Sequence, residues 1–257
     1  MPTLVQEPVK TSGRARILLA PVLLSGAVLL WVVAGFNPLL APLVPAAAEE
    51  RIGTSIARRL ASQLEPGADE RLAAAEALTR RLTPHFSLPL PPRVAHLRSP
   101  EINGFVLPGG RLLLTTGALE KLDSPESLAF LIGHLLAHLS NHDNLEMLDR
   151  GLALAVTSDF LGLGREQVAG WIVDGGILTR QKFRNRQELD ADRWSMLALQ
   201  REFGRVDGAI AFFRTLDAQG WPLSHFDETP ASAHARKRAL QLMIRDEGWT
   251  RTVAFGD

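Results

Sequence analysis

The chain has 257 residues and balances 28 Lys and Arg against 28 Asp and Glu. No basic field therefore argues for nucleic acid, and the length suits one anchored domain of about 200 residues. Cysteine and tyrosine are both absent, which excludes disulfides, thiol catalysis, cysteine-ligated zinc and a phenol that could stabilise a transition state.

Residues 1–16 are polar, with Lys10, Arg14 and Arg16 against Glu7. Residues 17–48 contain no charge, and 17–36 alone have about the length of a membrane-spanning helix. Pro21 falls in the first turns, where it is tolerated, and Trp31 toward the far end, where an indole meets headgroups. Cations before the span and Glu49-Glu50 after it predict a single-pass membrane protein. Its N-terminus is then cytoplasmic and its body extracytoplasmic, which is periplasmic in a bacterium. The alternative is a cleaved signal peptide, because Ala46-Ala47-Ala48 resembles a cleavage site. The apolar run is too long, and that site too far along it, to favour this. The organisation is thus a cytoplasmic tail over 1–16, an anchor and exit segment over 17–48, and one domain over 49–257.

Pro38, Pro42 and Pro45 make the exit extended. Ile52, Ile56 and Leu60 are helically spaced and predict a helix over 49–64, broken by Pro66-Gly67. A second amphipathic helix over 68–82 carries Leu72, Ala75, Leu78 and Leu82 on one side. Pro84, Pro89, Pro91 and Pro92 then enforce an irregular link. Residues 94–97, 102–107 and 111–115 read as short strands, the last two joined by a turn at Pro108-Gly109-Gly110. Asn103-Gly104 is an alternative turn. A short helix runs from Thr116-Gly117 through Leu122. Asp123-Ser124-Pro125-Glu126 is a strong start for a helix reaching about His142, with Leu128, Leu131, Ile132, Leu135 and Leu139 as its buried stripe. Further helices are expected over 144–162, 167–178, 179–203, 208–219 and 232–246. Asp207 is the expected cap of the 208–219 helix, which turns Phe212, Phe213 and Leu216 inward.

His134 and His138 lie four apart, on one face of that apolar helix. This spacing lets two imidazoles grip one zinc ion. Alone it is weak, since two helical histidines can equally serve packing. Glu188 and Asp192 are also four apart, about fifty residues further on. One could be a third ligand and the other could fix a ligand imidazole from behind. The plainer reading of the second pair is a solvated charged face. Zinc peptidases with such a histidine pair carry glutamate directly after the first histidine, as the base for the metal-bound water. Here that position is Leu135, which suits the packing stripe and cannot accept a proton.

Several motifs resemble the zinc metallopeptidases of the HtpX and CAAX prenyl protease type. They are Asn103-Gly104-Phe105-Val106-Leu107-Pro108-Gly109-Gly110, then Thr116-Gly117-Ala118-Leu119, Gly133-His134 with Ala137-His138, and the run from Asn185 to Asp192. The resemblance implies an α+β, mostly α fold. This would be a zincin-like metallopeptidase domain with a small antiparallel sheet, preceded by one N-terminal transmembrane helix. It implies His134, His138 and Glu188 as ligands of one zinc, with Asp192 in support. It also implies that Asn103, Gly104, Phe105 and Val106 border a cleft where an extended peptide adds as a strand.

The sequence departs from that family twice. Leu135 replaces the base, a loss worth about 100- to 10,000-fold in rate. The C-terminal His-Pro of the family reads Thr229-Pro230 here, leaving His234 and Arg236 as weak candidates to steady an oxyanion. Three readings follow. The first is a membrane-anchored, zinc-binding pseudopeptidase that holds extended or unfolded polypeptide. The second is an active zinc metalloendopeptidase whose displaced base is Asp143, Glu146 or Asp192. The third is a metal-free interaction module.

Overall fold

The computed structural model describes residues 44–67, 69–122, 124–145, 183–219, 230–249 and 251, without the side chains of 230–234. The tail, the membrane span and nearly all of the helices expected over 144–162 and 167–178 lie outside these residues. Among the described residues no helix is long and apolar enough to cross a membrane.

Helix α1 spans Ala46–Arg59, three residues earlier than expected. Ala46, Ala47 and Ala48 are strong helix formers, and Pro45 fits just ahead of the first turn, so the helix reaches back to it. Helix α2, Glu70–Leu82, starts at Asp69, whose side chain accepts from the Leu72 amide at 2.6 Å. Its Leu72, Ala75, Leu78 and Leu82 are buried as predicted.

Strands β1 (Arg93–Leu97), β2 (Gly104–Leu107) and β3 (Arg111–Thr115) form one sheet in the order β1-β3-β2. β2 and β3 are antiparallel across the turn at Pro108–Gly110, whose two glycines have φ of +80° and +70°. β1, however, pairs with β3 in parallel, Arg93 opposite Arg111 through Leu97 opposite Thr115. The sheet is therefore mixed, not antiparallel. Leu112, Leu113 and Leu114 are all buried, so β3 hides both faces and takes the centre, with a neighbour on each side.

Helix α3 is Thr116–Lys121. Helix α4, Pro125–Ser140, opens with a capping box between Ser124 and Ser127. Every residue from Ser127 to Leu139 is buried. Its apolar surface runs all the way round, beyond the single stripe expected, and such a helix belongs at the centre of a core. It packs against α2, β2, α5 (Asn185–Phe203) and α6 (Asp207–Ala218). Asp207 lies inside the first turn of α6. Val206 takes the cap position without a side-chain bond, so the expected Asp207 cap is one residue off. Helix α7, Pro230–Asp246, lies on α5.

The α4–α5 crossing positions the histidines. A Cβ at Gly133 would meet Ser195 Oγ at 2.6 Å, so only glycine admits α5 this closely. Ser195 Oγ uses that proximity to donate to the Phe130 carbonyl at 2.7 Å. Phe130 in turn packs against Phe212 and Phe213 of α6.

Candidate metal centre

The α4 register turns His134 and His138 toward α5, with ring planes 85° apart. Their Nε2 atoms are 3.1 Å from each other. Glu188 of α5 comes between them, with Oε2 at 3.5 Å from His134 Nε2 and Oε1 at 3.6 Å from His138 Nε2. A tetrahedral zinc with bonds of about 2.0–2.1 Å separates its ligand atoms by roughly 3.3 Å. The three side chains thus match three corners of that polyhedron, and they form a group able to hold a metal ion.

The far side of each imidazole is also occupied. His134 Nδ1 donates to Asp192 Oδ1 at 2.9 Å, and His138 Nδ1 donates to Asp143 Oδ2 at 2.8 Å. An ionised carboxylate can only accept, so both ring protons belong on Nδ1 and both Nε2 lone pairs point inward. Gln187 Nε2 holds the other oxygen of Asp143 at 2.8 Å, and Phe183 stacks on His138 at 3.7 Å. Glu188 Oε2 is buried without a well-directed hydrogen bond, although Arg236 Nη1 lies 2.8 Å away. Three candidate ligand atoms therefore converge on one point, and a cation answers that arrangement.

Charge makes the same demand. Glu188, Asp192 and Asp143 are buried acids, and Arg236 is the buried cation among them. Among the described residues here, three carboxylates face one guanidinium, an excess of negative charge that a divalent ion would offset. Burial pushes the His134 imidazolium down. Burial opposes a charge on His138 too, but the Asp143 bond and Glu188 outweigh it and hold that group above the usual histidine range. Burial alone would raise the Asp192 carboxyl, yet Arg236 and His134 hold it at about 2.

The model of Peptidase family M48 matches residues 70–243. The chain belongs to this family. M48 enzymes are zinc metallopeptidases, and the His134, His138 and Glu188 group fits that ion on the distances and charge above. The metalloendopeptidase OMA1 of Bos taurus mitochondria is 42% identical over 65 residues. That stretch covers 25% of this chain and only 12% of the relative.

The remaining sequence candidates of this M48 chain divide. Leu135 is 2% exposed and lies against β2, where a Cβ on Gly104 would meet its Cδ1 at 2.5 Å. Asn103 is buried, and its Oδ1 accepts from the Gly104 amide at 2.7 Å. Val106 points into the core, so Gly104 and Phe105 carry what surface β2 presents. Arg236 engages Asp192 through Nε at 2.8 Å and Nη2 at 2.7 Å, as well as Glu188. It therefore grips the acids, where the sequence had suggested an oxyanion donor. His234 sits on α7 with its side chain outside the described residues. Asp143 and Asp192, two of the proposed displaced bases, both stand on the Nδ1 side of an imidazole, away from the converging Nε2 atoms. Glu146 lies outside the described residues.

Proposed function

We propose that this chain is a membrane-anchored, zinc-binding pseudopeptidase that holds extended or unfolded polypeptide segments without cutting them. One observation carries the reading. The ligand group is complete and braced from behind, while the position that should supply the base is a buried leucine. Zinc held there would lower the pKa of a bound water toward neutrality. Proton transfer from that water still needs a carrier. Glu188 is spent on the ligand group, and Asp143 and Asp192 are spent on the imidazoles. Within M48 the motif order favours the HtpX and CAAX prenyl protease type. β2 at the sheet edge is the strand along which an extended segment would lie. The charge bias around residues 17–36 supports an extracytoplasmic domain, and a protein quality-control role suits such a holder.

The second reading is an active zinc metalloendopeptidase, favoured by the name of the OMA1 relative. Metal content beside casein hydrolysis separates the two. The pseudopeptidase reading expects one zinc per full-length chain, no hydrolysis by wild type and a gain in Leu135→Glu. Restoring a base is worth about 100-fold or more. Hydrolysis by wild type, abolished by a chelator and by His134→Ala, establishes the peptidase instead. A chain that binds no zinc, with a melting temperature indifferent to chelator, sinks both.

A further inference from the structure

Glu49 is a buried acid that neither the ligand group nor its immediate partners account for. It lies on α1, outside the residues matched to the M48 family, and is 2% exposed. Its Oε1 accepts from the Gly109 amide at 3.1 Å and from Asn144 Nδ2 at 3.3 Å. Asn144, itself 1% exposed, directly follows the Asp143 that fixes His138.

The turn between His138 and Asp143 is under strain. His142 has φ of +60°, a conformation that costs a residue with a Cβ about 1 kcal/mol or more. Such a residue persists only where its surroundings over-determine it. Here two grips do so. Gln187 holds Asp143 from α5, and Glu49 holds Asn144 from α1. Helix α1 is in turn locked to the β2–β3 turn. A Cβ on Gly53 would meet the Pro108 carbonyl oxygen at 1.9 Å, and Arg111 reaches both Glu50 at 3.2 Å and Thr54 at 2.7 Å.

We infer that Glu49 is a positioning residue for the metal centre, acting through Asn144 and the strained turn on Asp143 and so on His138. The inference rests on reading His134, His138 and Glu188 as metal ligands. Loss of a partner behind a ligand typically weakens a metal site about 10- to 100-fold, and Glu49 acts one step further back.

The test uses the full-length chain, with Zn2+ affinity read by competition against a chromophoric chelator and the visible absorption of the Co2+ protein as the geometric signature. Glu49→Ala should weaken zinc about tenfold and alter the Co2+ bands. Asn144→Asp should weaken it at least as much, because two carboxylates then face each other. Adding Glu49→Gln to Asn144→Asp should recover most of the loss, since an amide at 49 can accept from Gly109 and donate to the new acid. Ile56→Ala is the control: the side chain is fully buried on the same helix but has no part in the link. It should lower the melting temperature of the chelated protein and leave zinc affinity and Co2+ bands alone. Wild-type affinity in Glu49→Ala, or equal weakening in Ile56→Ala, overturns the inference while the metal centre stands. A wild-type chain that binds neither ion overturns the metal centre and this inference together.

Discussion

Helix α4 meets two neighbours of opposite character. Toward α5 it presents His134 and His138 to Glu188 and Asp192 through buried polar contacts. Toward β2 it presents the Leu135 side chain to Gly104, where no side chain intervenes. The first face contributes to a group able to hold a metal ion. The second keeps packing where the chemistry of cleavage would need a proton acceptor. The metal-ligand face and the packing face are thus carried by residues one position apart on a single helix.

The largest expected effect breaks the polar face. Arg236 bridges Glu188 and Asp192 while 4% exposed, so Arg236→Ala leaves two buried carboxylates without their cation. Removing one member of such a buried group costs about 3–5 kcal/mol. Urea unfolding of the chelated variant should lose an amount of this order. Zinc should recover part of it, because the ion supplies the missing positive charge. A loss below about 1 kcal/mol, the level of a surface pair, would mean that the guanidinium does not tie Glu188 and Asp192 together.

A smaller effect follows from acidity. The Asp192 carboxyl is held at about 2 against an ordinary 3.8, because Arg236 and His134 outweigh its burial. A depressed acid stabilises the fold above its unfolded pKa, and that stability drains as pH falls through the folded value. In chelated protein the Asp192 share should be whole above about pH 4 and disappear toward pH 2, an effect of about 2 kcal/mol at 1.36 kcal/mol per unit. Asp192→Asn should flatten that part of the stability profile. An unchanged acid limb in the variant would remove Asp192 from the account.

Much of the polar face was readable beforehand. The four-residue spacing of His134 and His138, and of Glu188 and Asp192, needs only the helical period, and the structure brings both pairs together. The Gly109-Gly110 turn announced itself because both positions need positive φ. Three features were out of reach. Asp143 sits five residues past His138, where the helix has ended, so no periodicity assigns it to the imidazole. Arg236 arrives from a helix 44 residues beyond Asp192, and nothing local says which way its guanidinium turns. The parallel pairing of β1 with β3 is equally non-local, although the unbroken Leu112-Leu113-Leu114 run was a sign of a strand buried on both faces.

The smallest effect tests the apolar face alone. Gly104→Ala places a methyl 2.5 Å from Leu135 Cδ1. That atom ends a flexible chain and can swing aside, so the cost should fall near the low end of overpacking, about 1 kcal/mol. In a Leu135→Ala background the space is empty. The same change should then stabilise, since alanine loses less backbone entropy than glycine in a strand. Zinc affinity should not move in the single Gly104 variant, because no ligand and no partner of a ligand is touched. A change of sign between the two backgrounds, with constant affinity, would establish that Leu135 packs on β2 independently of the metal face. A parallel drop in zinc affinity would mean that the two faces of α4 are mechanically one.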